Sequence, residues 1–364
     1  MRIDRKPDHK EFTHVYHNRD LHGILRLVND TRRYDQYREE WKRASSLECV
    51  PDYPLQLDFE LNHSCNFSCP MCTWSIDVST NKGKENWFNF EIFKEIIDDG
   101  VKKGLKAVRF NYINEPLIRR DLTEFIRYSK QAGILDTYFS TNGSLLSPQM
   151  SEALIDSGLD RLQVSLDAFT QDTFKKIRIG GNLEKIIQNI ETFRNIRERK
   201  KSLTPLLRVN FVKTADNSHE LENFKEYWKE RADAIGIQNL INIVDKEVQE
   251  KAELTDNVQE MPRFNCAQPF CHITIRYNGD LLPCCSFYGA EISVDRLWIP
   301  NLLEEAKIPK QTSLKDQVRP ISQSIQETWL GPKMQFFREI HRKGKYWRNP
   351  VCKKCVLSSS HETV

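Results

Sequence analysis

Residues 54–76 read PLQLDFELNHSCNFSCPMCTWSI. The first eight alternate apolar with polar or acidic side chains, the period-two pattern of a strand. A loop follows that holds Cys65, Cys69 and Cys72, a C-x3-C-x2-C spacing. Three thiolates within eight residues can wrap one face of an iron–sulfur cube and leave its fourth iron without a protein ligand. An open iron signals chemistry, because clusters that only pass electrons are normally closed by four protein ligands. Zinc is the competing metal, and a structural zinc would want a fourth Cys or His nearby. His63 is the local candidate, and it points to the opposite face if the strand runs through it.

Outward from this loop the chain repeats itself. Strand-like runs at 54–61, 107–113, 135–141, 161–167, 206–212 and 235–241 alternate with helical patterns. Several of those patterns end in glycine, at Gly104, Gly133 and Gly158, the usual residue just past a helix C-terminus. Six strand–helix units in series predict parallel strands joined by right-handed crossovers, an α/β partial (β/α)6 barrel. In such folds chemistry gathers at the C-terminal ends of the strands. The alternation stops near residue 245, and residues 246–263 form a charged connector. HITIRYNGDLLPCC (272–285) then reads as a β-hairpin turning at Asn278-Gly279. A late helical pattern over 324–346 and a closing Cys-x2-Cys at 352–355 complete a small hairpin-and-helix domain. The expected divisions are a polar, partly helical extension over 1–52, the barrel over 53–245 and the small domain over 246–364.

The chain has 364 residues, and 54 Lys and Arg stand against 51 Asp and Glu, leaving a net charge of +3. That balance gives no electrostatic footprint for nucleic acid or an anionic membrane. No signal peptide opens the sequence, and no apolar run approaches the ~20 residues of a membrane span. A cytoplasmic protein is the expectation, and there ten cysteines read as thiols rather than disulfides. Cys49 stands apart and suits a buried core position. The other nine lie among Asn, Ser, Pro and Gly, which favours metal.

At these residues the sequence resembles the radical S-adenosylmethionine (radical SAM) superfamily. The resemblance implies a [4Fe–4S] cluster on Cys65, Cys69 and Cys72, whose open iron is chelated by S-adenosylmethionine. It implies reductive cleavage of that cofactor to a 5′-deoxyadenosyl radical, which takes a hydrogen atom from an unactivated carbon. Asn114-Glu115-Pro116 resembles the family's Gly-Gly-Glu-Pro segment, which binds the methionine amino group, with Asn114 in place of the second Gly. Ser140-Thr141-Asn142-Gly143 is either a polar turn or a loop lining the cofactor pocket, where Ser140 and Asn142 would act. Ser165-Leu166-Asp167 resembles the segment that reaches the ribose and methionine, although Asp167 equally suits a helix cap. Arg178 matches a basic residue that pairs with the methionine carboxylate, and Asn210 could face the interior and bind the cofactor. Met71 occupies a position that packs on adenine, with Trp74 nearby or in the core.

The second group resembles the SPASM or twitch extension in its form with one auxiliary [4Fe–4S] cluster. By that match the ligands are Cys266, Cys284, Cys352 and Cys355, which leaves Cys271 and Cys285 over. A zinc ribbon is the alternative for the same thiols. Full ligation favours electron transfer from a substrate radical, hence a net oxidation or a redox-neutral change such as epimerisation. The compact arrangement is similar to that of enzymes acting on small polar metabolites. The expected substrate is therefore a sugar, aminocyclitol or nucleotide-sugar, with flavodoxin or ferredoxin as reductant. A maturase of a ribosomally made peptide and a zinc-stabilised binding scaffold are the alternative functions.

Overall fold

The computed structural model describes residues 13–76, 87–241, 264–286, 291–297 and 321–360. The charged connector read over 246–263 lies outside them. Ten strands form one open sheet: β1 Thr13–His17, β2 Gln56–Phe59, β3 Ala107–Arg109, β4 Asp136–Thr141, β5 Arg161–Ser165, β6 Leu206–Lys213, β7 Ala234–Asn239, β8 His272–Ile275, β9 Asp280–Leu282 and β10 Asp295–Arg296. Their order is β1-β7-β6-β5-β4-β3-β2-β8-β9-β10. Strands β2 to β7 are mutually parallel and follow chain order, with helices between them. This is the expected partial (β/α)6 barrel.

Helix ends follow local chemistry. The helix Phe90–Lys103 begins where the Asn89 side chain accepts from the Glu91 and Ile92 amides, and it stops at Gly104, whose φ of 111° is left-handed. Its Ile92, Phe93, Ile96 and Ile97 are buried against the sheet. The sheet's two faces differ in character. Phe59, Val108, Phe139, Val164 and Val209 point to the helices and share one apolar core. The alternate positions, among them Asp58, Arg109, Tyr138, Gln163 and Arg208, are polar and point into the concave side. Parallel strands covered on both faces by helices are normally apolar throughout. A polar concave face therefore marks a cavity.

Both sheet edges depart from the sequence reading. Residues 13–17, read as part of a helical extension, pair antiparallel with β7 and cover that edge. The hairpin β8–β9 does turn at Asn278-Gly279, with Gly279 at φ 85°. It does not stand apart, because β8 pairs parallel with β2 and so prolongs the barrel sheet. Helices Leu21–Val28 and Thr31–Ser45 bring Leu25, Tyr34 and Tyr37 against Ala107, Leu135 and Leu206, at or just before the first residues of β3, β4 and β6. They stopper the barrel at the end opposite the cysteine loop. Among the described residues no helix is long and apolar enough to cross a membrane.

Asp233 joins three parts of this frame. Its carboxylate accepts from Arg19 Nη1 at 2.9 Å, Arg197 Nη1 at 2.5 Å and the Leu207 amide at 2.7 Å. Burial alone would raise its pKa, but Arg197, the Leu207 amide and Arg19 hold the carboxyl below its ordinary value. Asp233→Ala is expected to destabilise the chain by about 3–5 kcal/mol, since it leaves a part-buried guanidinium unpaired. Because the folded pKa is depressed, this contribution is complete above the unfolded carboxyl's range, about pH 4. It fades as pH falls through the lower folded value, so urea midpoints of variant and wild type should converge on acidification.

Candidate functional site

The cysteine loop starts at the C-terminal end of β2 and is held from three sides. The Ser68 amide donates to the Ile179 carbonyl at 2.9 Å, and Cys72 closes a turn onto the Cys69 carbonyl at 3.0 Å. Gly180 and Gly181 lie against it, close enough that a Cβ on Gly181 would sit 2.5 Å from the Phe67 ring. Burial pushes all three thiols up, Cys65 to about 12. Such a trio is poorly placed to exist as free thiolates, and a bound metal would supply the positive charge that deprotonation there needs. His63 takes no part in it. Its Nδ1 meets Glu60 Oε1 at 2.8 Å and its ring stacks on Tyr277.

Cys65, Cys69 and Cys72 open onto one cavity of about 600 Å3. Met71, Asn114, Glu115 and Ser140 line it, and so do Asn142, Ser165, Arg178 and Asn210. All eight expected cofactor residues thus meet in one space. Glu115 is fully buried, and its carboxylate accepts from the Leu117 amide at 3.0 Å, Thr141 Oγ1 at 2.7 Å and the Asn142 amide at 2.7 Å. Oε2 carries only the last of these, so a lone pair remains for an ammonium or amine. Burial raises the carboxyl against these bonds. The Asn114 amide is engaged by the Tyr112 amide at 3.0 Å and by Asn62 at 2.7 Å. Ser140 Oγ donates to Gln163 at 3.2 Å.

Arg178 is paired with Asp167, its Nε at 2.8 Å from Oδ2, and its Nη1 lies 3.9 Å from Cys69 Sγ. Burial opposes its charge, but Asp167 and Cys69 push the guanidinium above its ordinary value. Asp167 does not cap the helix Gln171–Ile177. Thr170 does that, and Asp167 instead holds Arg178 and the Val212 amide. On β6 the Asn210 Oδ1 is buried without a hydrogen-bond partner in the protein, so it is open to one. The cavity lining holds residues the sequence reading missed: Arg109, Tyr138, Arg161, Gln163 and Arg208 on the floor, and Gln238 nearer the rim. A signal was present, because AVRFNYI, RLQVSLD and LLRVNFV each place arginine on the same face as a polar residue two positions on.

The second cysteine group gathers beside β2 and β8. Cys266 neighbours Cys352, Cys355 and Cys285, while Cys284 neighbours Cys266, Cys285 and Cys355. Burial pushes Cys266, Cys284, Cys352 and Cys355 up, as in the first group. The two remaining cysteines differ from these four. Cys271 packs with Ala44, Leu55 and Phe270 in an apolar cluster. Cys285 Sγ lies 3.6 Å from Gln268 Oε1, and His272 and Arg109 hold it below its ordinary pKa despite its burial.

A family model described as the Radical SAM superfamily matches residues 59–221, and one described as an iron–sulfur cluster-binding domain, SPASM, matches 266–356. The chain carries a radical SAM domain followed by a SPASM domain. Its domains imply a SAM-binding [4Fe–4S] cluster, an auxiliary cluster and S-adenosylmethionine, and the two thiol groups described above are chemically suited to hold the clusters. The chain is 32% identical over 188 residues to a "Probable GTP 3′,8-cyclase" of Metallosphaera sedula, covering 51% of this chain and 55% of that one. It is 28% identical over 260 residues to a protein of the same name from Methanocaldococcus jannaschii, 63% and 84% of the two chains. For several such relatives the match spans about half their length. Among solved structures "Native anSMEcpe with bound AdoMet" shares the fold, with a TM-score of 0.53 at 14% identity over 85% of this chain and 92% of that one.

The glycine contact yields a prediction for this radical SAM chain. In Gly181→Ala the new methyl meets Phe67 at 2.5 Å and Phe174 at 2.7 Å. Both rings must shift, and Phe67 lies inside the cysteine loop. Anaerobic iron analysis should fall from about eight per chain towards about four, with the second cysteine group still loaded. Unchanged iron would show that the loop absorbs the shift.

Proposed function

We propose that this chain is an enzyme of hydrogen-atom chemistry, acting on a small polar substrate such as a sugar, aminocyclitol or nucleotide-sugar by oxidation or epimerisation. The reduced cluster and S-adenosylmethionine, when bound, supply a hydrogen-abstracting 5′-deoxyadenosyl radical. A flavodoxin- or ferredoxin-type protein would serve as the electron donor. Cys65, Cys69 and Cys72 would ligate the first cluster, and Cys266, Cys284, Cys352 and Cys355 the auxiliary one.

The observation that carries this reading is the continuity of one cavity from the cysteine loop to a polar floor. At its upper end Glu115 would offer an acceptor to the methionine ammonium, and Ser165 and Asn210 would offer polar atoms to the cofactor. Below Ser165 and Asn210, Tyr138 and Gln163 present donors and acceptors suited to hydroxyl groups. The helices carrying Leu25, Tyr34 and Tyr37 cover the far end, where Tyr138 and Gln163 also line a second cavity of about 430 Å3. A nucleotide substrate is the second reading, favoured by the names of the curated relatives.

The test is an anaerobic assay of the reconstituted wild type beside the triple variant Cys65→Ala, Cys69→Ala, Cys72→Ala. With dithionite and S-adenosylmethionine the wild type should release 5′-deoxyadenosine, and the variant should release none. Incubation with deuterated aminocyclitols, nucleotide-sugars, GTP and peptides then asks which one transfers deuterium to the nucleoside. Transfer from a peptide alone would replace the small-substrate reading with a maturase. Zinc in place of iron, with no nucleoside, would leave a metal-stabilised scaffold.

A further inference from the structure

Three arginines stand in the cavity floor, on β3, β5 and β6. Two face acids. Arg109 Nη1 lies 3.7 Å from Asp58 Oδ2, and Arg161 donates to Asp136 through Nε at 2.8 Å and Nη2 at 2.7 Å. Arg208 has no acidic partner among the described residues, and its Nε is buried with no hydrogen bond. Burial, and then repulsion by Arg161, pulls its pKa down to about 10, so it stays cationic at neutral pH.

The backbone opposite is shaped around this side chain. A Cβ on Gly236 of β7 would sit 2.2 Å from Arg208 Nη2 and 2.5 Å from Asn210 Oδ1. The guanidinium therefore lies across bare backbone, in space any other residue would fill. Register sets its depth: Asn210 pairs with Ser165, and Arg208 pairs with Gln163, two residues nearer the N-terminal end of the barrel. Arg208 is thus deeper in register than Ser165 and Asn210, and level with Ser140.

A buried cation without a counter-charge is unfavourable, and the two neighbouring arginines are already balanced by Asp58 and Asp136. Of the three floor arginines Arg208 alone is left without an acidic partner among the described residues, in a cavity large enough for a small molecule. We propose that Arg208 binds an oxyanion of the substrate, a phosphate or carboxylate group, on the floor of the cavity. This rests on the small-substrate reading above and adds the anionic group by which that substrate is held. The planar fork can take two oxygens of one anion, which an ammonium at the same place could not do.

The test uses the anaerobically reconstituted chain saturated with S-adenosylmethionine, titrated calorimetrically with sodium pyrophosphate and with sodium acetate at constant ionic strength. The wild type is expected to bind at least one of these anions saturably. Arg208→Gln should weaken that binding at least tenfold, and Gly236→Ala, which displaces the guanidinium, should do the same. Arg208→Lys keeps the charge without the fork and should fall between. In Arg208→Gln and Arg208→Lys, iron content and affinity for S-adenosylmethionine should stay within about twofold of wild type, which separates a lost contact from a lost fold; Gly236→Ala is not held to the second, because its methyl would also meet Asn210 Oδ1. Tighter pyrophosphate binding assigns the subsite to phosphate, and tighter acetate binding to carboxylate. The proposal is overturned if neither anion binds, if Arg208→Gln binds them as wild type does, or if that variant loses S-adenosylmethionine instead. Failure of the wild type to cleave S-adenosylmethionine would sink the proposed reaction and leave the anion titration to be read separately.

Discussion

A single buried carboxylate ties together the loops from which this site is made. Glu115 takes the Thr141 hydroxyl and Asn142 amide from the loop after β4, and its own amide donates to the Ser64 carbonyl at 2.8 Å in the cysteine loop. Asn142 continues the link, donating to Asn66 Oδ1 at 2.8 Å. Three loops that leave three different strands thereby become one network. A carboxylate out of water is tolerated only when its oxygens are satisfied, so Glu115 and its donors are interdependent. If the clamp loosened, the cysteines would lose their registration against the later strands, and with it the continuity of the cavity.

Much of this was legible because parallel α/β architecture converts chain order into spatial order. Once six strand–helix units are read, residues just past each strand must share one rim, which is why Cys65, Glu115, Asn142 and Ser165 meet. What the pattern could not give is the partner of each side chain. Arg178 suits a carboxylate by type, and the structure supplies one in Asp167, eleven positions earlier in the chain. Arg208 escaped notice for a related reason. Its strand is predominantly apolar, and the charge becomes meaningful only when the two neighbouring strands show that their arginines are already paired. β1 was missed although Thr13, Val15 and Tyr16 favour strands, because five residues make a short signal and their pairing depends on β7, more than 200 residues away.

Packing sets one of the surplus cysteines in the second group apart. Six thiols there share a similar sequence setting, yet Cys271 ends the short helix Gln268–Cys271 and turns into apolar contacts with Leu55 and Phe270. Cys285 follows Cys284 directly, and both lie beside Cys266. Cys285 also meets Asp58 and His272, with its Sγ and their ligand atoms within 4.8 Å of one another.

Two side chains link the cavity to the second cysteine group. Tyr112 lines the cavity, and its hydroxyl donates to the Ser286 carbonyl at 2.7 Å, beside Cys284 and Cys285. Arg109 likewise lines the cavity while approaching Cys285 and Asp58. On the proposed reading, a substrate radical formed in the cavity is separated from the auxiliary cysteines by the side chains of these two residues. Losing an electron towards that side would be coupled to losing a proton, because oxidation of a hydroxyl-bearing carbon releases both. The Asp58–Arg109 pair, at 3.7 Å, lies on the side of the second cysteine group. An oxyanion held by Arg208 would fix the substrate from the opposite wall, across the floor from that pair. Anchoring on one side and charge removal on the other is the division of labour that a polar lumen between two metal sites permits, and an apolar one would not.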